Sequence, residues 1–127
     1  MIDKTEAVTT SMLKLALDAA SLNHQAIANN IANINTPGYA PARVNFEAQL
    51  DSIRQTLSEG GRVQANMLSG IQPVMERAQP LPAGDHTANL DMETAQLAEN
   101  TVHYEALLKV TGMRMSLVNA AINEGKR

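Results

Sequence analysis

Cysteine and tryptophan are absent from this chain, and its aromatic residues are only Phe46, Tyr39 and Tyr104. Without thiols there is no disulfide and no thiolate metal site, although the compartment stays open, since such a chain suits the cytosol and an oxidising space alike. Without large rings, the usual anchors of a thick hydrophobic core are missing. Long apolar runs are lacking too. None exceeds three residues, where a secretory signal needs roughly 7–15 apolar residues and a membrane span about 20. The expectation is a chain with no cleaved signal peptide and no direct membrane span, which needs another route if it acts outside the cytoplasm. Basic charge is also in short supply: 10 Lys and Arg stand against 13 Asp and Glu, for a net charge of −3 spread evenly along the sequence. Neutralising phosphates requires a local cluster of Lys and Arg, so nucleic-acid binding is excluded.

What the sequence does contain is alanine. At 127 residues it makes one domain at most, and nineteen alanines supply much of its 44% hydrophobic content. Alanine buries little area, but it is the best helix former and lets helices approach closely. The composition therefore predicts a mainly α chain built by laying helix on helix.

From Thr5 to Asn33 apolar residues recur in alternating steps of four and three, which predicts one long helix. One seam runs Val8, Met12, Leu15, Ala19, Leu22, Ala26, and a second runs Leu13, Leu17, Ala20, His24, Ile27, Ile31 and on to Ile34. Lys14, Asp18, Ser21 and Gln25 form the remaining polar face. Two seams are more than a two-stranded coil requires, so this helix is expected to find packing partners on two sides. The helix should stop in Asn33-Ile34-Asn35-Thr36-Pro37-Gly38-Tyr39: Asn tolerates a left-handed C-terminal position, Pro37 pushes Thr36 out of the helical region, and Pro-Gly suits the centre of a type II turn. Beyond it, Phe46, Leu50, Ile53 and Leu57 keep heptad spacing and predict a short amphipathic helix or a hairpin return.

Residues 58–88 hold more than half of the glycines and prolines and no sustained period, which predicts a flexible, poorly ordered middle loop. Periodicity returns in residues 89–127. Asp91 and Glu93 are expected in a first helical turn, where their charge suits the dipole. One stripe then runs Leu97, Thr101, Tyr104, Leu108, Thr111, Met115, Val118, Ile122, and a second Ala95, Val102, Ala106, Val110, Met113, Leu117, Ala120. Gly112 interrupts this helix and is expected to mark a close backbone approach. The organisation that results is an N-terminal part, 1–57, a loop, 58–88, and a C-terminal helix, 89–127. The two long helices are expected to pair as a coiled-coil-like hairpin.

No catalytic, cofactor or metal site is predicted. His24 lies in a packed seam without a second ligand at metal spacing, and Glu99 with His103, at i and i+4, leaves a site incomplete. Asp85-His86 lacks a nearby nucleophile, and the seven methionines suit gap-filling in a core.

The stretch Ala28-Asn29-Asn30-Ile31-Ala32-Asn33-Ile34-Asn35-Thr36-Pro37-Gly38-Tyr39 closely resembles the N-terminal signature of the flagellar rod and hook axial proteins. Capping alone accounts for Asn33 or Asn35 but not for Asn29 and Asn30, whose amides are expected in a subunit interface, where a hydrogen-bonded amide fixes register. Asn89-Leu90-Asp91-Met92-Glu93, with Ala98-Glu99-Asn100 through Tyr104, is similar to the C-terminal helix of the FlgB-type proximal-rod members; FlgC-type relatives differ here, where this chain has Val102-His103-Tyr104. The resemblance implies a structural subunit, not an enzyme, of the basal body in the periplasmic rod, exported by the flagellar type III apparatus. It implies polymerisation through the terminal helices into a helical tube serving motility. The partners it implies are further copies, FlgC-, FlgF- and FlgG-type rod subunits, a FliE-type adaptor, the MS ring and the export gate. Val8, Met12, Leu15, Leu17, Leu22, Ile27, Ile31, Leu97, Tyr104, Leu108, Met115, Val118 and Ile122 are the expected helix-packing positions. A FlgC-type subunit and a cytosolic helical adaptor are the alternative readings.

Overall fold

The computed structural model describes residues 4–45 and 47–126. In chain order these form α1 (Lys4–Ala32), β1 (Ala42–Asn45), α2 (Glu47–Ser58), α3 (Ala65–Ser69), β2 (Val74–Arg77) and α4 (Thr87–Gly125). The chain is mainly α, and its two long helices lie antiparallel. Polar contacts fix that direction: Asn30 meets Glu93, Asn23 meets Asn100, and Glu6 meets Arg114. Phe46, expected at the head of the short amphipathic helix, lies outside the described residues; the helix itself is α2.

Each side of α1 has a different neighbour. On one side Ile53 of α2, Leu68 of α3 and Ile71 form a buried apolar cluster, joined by Leu50, Val63, Met67 and, from α1, Val8 and Leu15. Towards its C-terminal end α1 buries small residues, with Ala19, Ala20, Ala26 and Ile27 all covered, and there the backbone comes close to α4 and β1. Helix α4 is unlike α1. Its buried residues are Glu93 and Asn100, both polar, while Val102, Met113 and Leu117 are largely exposed.

The middle segment departs from the expected loop. Residues 58–88 contain α3 and β2, and β2 pairs antiparallel with β1 in the register Ala42↔Arg77, Arg43↔Glu76, Val44↔Met75, Asn45↔Val74. Main-chain bonds extend the pairing outward, from Ala78 N–H to the Pro41 carbonyl (2.8 Å) and from Leu81 N–H to the Tyr39 carbonyl (3.2 Å). Strands of four residues are too short for an alternating pattern to stand out, and each is fixed by a partner more than twenty residues away. The Gln49 side chain ties α2 to the return of the chain. It donates to the Gln72 carbonyl (2.9 Å) and accepts from the Gln72 N–H (2.8 Å).

Two details of α4 also differ from expectation. The helix begins at Thr87, so Asp91 and Glu93 lie beyond its first turn. Asp85 serves the helix start instead, accepting from both the N–H (2.9 Å) and the hydroxyl (2.5 Å) of Thr87. These bonds hold its carboxyl below the usual carboxylate range, so this contribution is present at neutral pH and disappears as pH falls through the lowered value. Gly112 faces open space, with nothing within 4 Å of a Cβ placed there, so no backbone approaches it. Among the described residues no helix is long and apolar enough to cross a membrane.

Because Leu68 is 5% exposed and Ile71 7%, the middle segment is part of the core rather than a spacer. Leu68→Ala should therefore lower stability by about 2–4 kcal/mol, read from urea denaturation. A loss close to zero would place α3 outside the cooperative unit.

Candidate functional site

The signature stretch occupies the last turn of α1 and the turn beyond it. Asn33 closes the helix, its N–H and its side-chain Nδ2 both donating to the Asn29 carbonyl (3.1 and 2.9 Å). Thr36 then donates its hydroxyl to Asn33 Oδ1 (3.3 Å) and its N–H to the Asn33 carbonyl (2.9 Å). The Tyr39 N–H returns to the Thr36 carbonyl at 3.1 Å, closing a four-residue turn with Pro37 and Gly38 at its centre. Gly38 has φ +75°, as a type II turn requires of its third residue. Pro37 presets the turn, and Gly38 accepts the geometry that other residues resist.

The turn brings the chain back onto α1, where Asn30, with no exposed surface, receives it. Its Oδ1 accepts from the Ala42 N–H (2.7 Å) and from the Tyr39 hydroxyl (2.9 Å), and its Nδ2 donates to the Ala42 carbonyl (2.9 Å). A primary amide has the same donor and acceptor pair as a peptide group, so Asn30 bonds Ala42 as a neighbouring strand would and covers that edge of β1. The remaining Nδ2 hydrogen points to the Glu93 carboxylate, 3.3 Å from both oxygens. Glu93 is 2% exposed and is neutralised by Arg43, whose Nη2 lies 2.7 Å from Oε1 while Nη1 donates to the Ala42 carbonyl (2.9 Å). Among the described residues no fully buried side-chain nitrogen or oxygen lacks a partner. Tyr39 is held on its other side by Arg77, whose guanidinium carbon is 5.4 Å from the ring centre. α1, the turn, the sheet and α4 thus meet at one amide.

For Asn30 this geometry departs from the expectation of a subunit interface. Asn30 finds all of its partners within the chain, Asn33 bonds its own helix end, and Asn29 and Ala32 are exposed. Sequence reasoning also missed Arg43, Glu93 and Asn100 as partners. Glu93 and Asn100 do share one helix face, seven residues apart, and that spacing of polar residues was the available signal.

The expected helix-packing positions divide into three groups. Val8 and Leu15 pack against the α2/α3 cluster, and Ile27 is buried. Leu17, Leu22, Ile31, Leu97 and Tyr104 are half-buried. Met12, Leu108, Met115, Val118 and Ile122 are exposed, at 54, 48, 65, 44 and 52%. His24, also exposed, flanks an open groove between α1 and α4 together with Tyr104 and Leu108.

Two substitutions test the arrangement. Asn30→Asp is nearly isosteric, yet it removes the donor to Ala42 and sets a second carboxylate against Glu93. It should cost about 2–4 kcal/mol in urea denaturation, although the Ala42 N–H keeps an acceptor in the new carboxylate; wild-type stability would refute the clamp. Gly38→Ala meets no neighbour within 4 Å, so only the backbone resists it. The expected loss is about 1 kcal/mol in thermal or urea denaturation, rising for Gly38→Val.

Comparison with known proteins places these features. The family model described as flagella basal body rod protein matches residues 15–39, covering the C-terminal half of α1 and the whole turn. The flagellar basal body rod protein FlgB of Bacillus subtilis is 26% identical over 129 residues, spanning 93% of this chain and 95% of the relative. The FlgB of Escherichia coli K12 is 25% identical over 133 residues, at 94% and 96% coverage, and that of Proteus mirabilis 28% identical over 145 residues, at 98% and 100%. The likeness therefore runs through both long helices and the segment between them, and over nearly its whole length the chain is similar to flagellar basal body rod proteins of the FlgB type.

Proposed function

We propose that this chain is a flagellar proximal-rod subunit, exported by the flagellar type III apparatus and polymerising through its terminal helices to connect the membrane ring and export gate with the drive shaft. The observation that carries this reading is the C-terminal half of α4. Leu108, Met115, Val118 and Ile122 recur at heptad-like spacing and are each more than 40% exposed, so the isolated chain leaves an apolar stripe in water. Such a stripe, beside the side of α4 that α1 engages and left uncovered by it, suits side-by-side packing against further helices. The stripe lies towards the C-terminal end of α4, which pairs there with α1 through Glu6 and Arg114. Neighbouring subunits, whether further copies or FlgC-, FlgF- and FlgG-type rod proteins, would cover it. A FliE-type adaptor, the MS ring and the export gate are the proposed contacts at the base, in the periplasmic part of the basal body. Export of an unfolded chain accords with a fold that has no disulfide to form or break.

Leu108→Asp and Met115→Asp separate assembly from folding, because both side chains are already exposed in the single chain. Each variant should keep wild-type helicity and urea midpoint, within about 0.5 kcal/mol, and should be secreted. Cells carrying either should be non-motile, since a carboxylate buried in a subunit contact recurs at every copy. Full motility of both variants would remove the stripe from the assembly interface.

A further inference from the structure

The seam between α1 and α4 is polar at a seven-residue interval on both helices. Asn30 meets Glu93, and one heptad earlier on α1 Asn23 meets Asn100 one heptad later on α4. Asn23 donates from Nδ2 to Asn100 Oδ1 (3.1 Å), and Asn100 donates from its own Nδ2 to the Ala20 carbonyl (2.9 Å). Glu93 and Asn100 are the buried residues of α4. Apolar residues at these two positions would bind α1 without desolvating an amide or a carboxylate, and buried polar layers contribute little net stability. What they do provide is discrimination between alignments.

The apolar positions of α4 discriminate poorly, because Leu97, Tyr104, Leu108, Thr111, Met115 and Val118 repeat at similar spacing. Moved one heptad, α4 would present much the same stripe about 10 Å along the axis. The polar positions do not repeat in this way. In one direction Glu93 would face Asn23, away from Arg43, and Asn100 would face Ala16. In the other, Glu93 would pass the end of α1 and Asn100 would face Asn30, which Ala42 and Tyr39 already occupy. Each slip leaves a buried amide or carboxylate short of partners.

We propose that Asn23, Glu93 and Asn100 form a register key, which selects this chain's own α4 in a single alignment as the mate of α1, against slipped alignments and against α4 of a second copy. The key is a specificity device, and its removal should leave the helix pair folded but no longer unique. This is a property of the isolated chain and does not depend on the rod reading.

The test compares Asn23→Leu/Glu93→Leu/Asn100→Leu with the wild type and with Asn100→Leu alone. Because the chain has no cysteine, nitroxide labels can be attached cleanly at Ser21→Cys and Thr101→Cys, exposed positions across one groove. The wild type should give one narrow label-to-label distance and monomer mass by sedimentation. Asn100→Leu, which retains the Asn30–Glu93 layer but strands Asn23, should unfold at lower urea than wild type and keep the single distance. The triple variant should stay helical and unfold at no lower urea than Asn100→Leu, while its distance distribution splits to include a longer component, the axial slip of about 10 Å adding in quadrature to the cross-groove separation, or its mass distribution gains a dimer. A single wild-type distance at monomer mass in the triple variant would overturn the proposal. Loss of its helices would overturn it equally, by making the layers stabilising contacts rather than a key. Either result is read on purified protein and leaves the assignment to the rod untouched.

Discussion

The structure depends on one buried amide. Asn30 gives both hydrogen-bonding groups of Ala42 a partner on the side of β1 away from β2, where an unpaired strand edge inside the protein would be costly. The same side chain reaches the Tyr39 hydroxyl and the Glu93 carboxylate. Through it the end of the first helix, the turn, the small sheet and the last helix are fixed relative to one another. No apolar contact could do this, because burial is non-directional and tolerates sliding. An amide with two donors and a carbonyl fits one arrangement.

Helix α1 stands between two different surfaces. Towards α2 and α3 it contributes Val8 and Leu15 to an apolar cluster, which holds the middle segment in place. Towards α4 it presents alanines and asparagines, so that side offers close approach and direction rather than a deep hydrophobic contact. This division explains how so few aromatics suffice: no thick core is needed when two thin layers share a central helix. It also explains the exposed stripe on α4, since a side of α1 built from small and polar residues has little apolar surface with which to cover it.

The arrangement gives the signature residues separate physical tasks. Asn33, Thr36, Pro37 and Gly38 shape the return of the chain, each through a local bond or a backbone preference. Tyr39 and Asn30 receive it, and their bonds reach across 9–63 residues. The motif is therefore a corner that sets where the sheet lies against the helix pair. Asn29 enters that corner through its main-chain carbonyl, which accepts from Asn33, while its side chain, like that of Ala32, is exposed beside it.

The sequence by itself determined the two long helices, their approximate ends and the turn, because these follow from local causes: helical periodicity, the fixed φ of proline and the freedom of glycine. Heptad spacing in Leu50, Ile53 and Leu57 allowed a short helix or a hairpin return, and the helix is what forms as α2. Only the tertiary structure decided that residues 58–88 contain a helix and a strand, since Val74–Arg77 is a strand by virtue of lying beside Ala42–Asn45. It alone assigned Glu93 to Arg43 and Asn30 rather than to a helix dipole, and Asn100 to Asn23. Hydrophobic periodicity records which face of a helix is covered, but a polar residue on that face has no period of its own. Its partner is set by where the chain returns in space, and that return is a property of the whole fold.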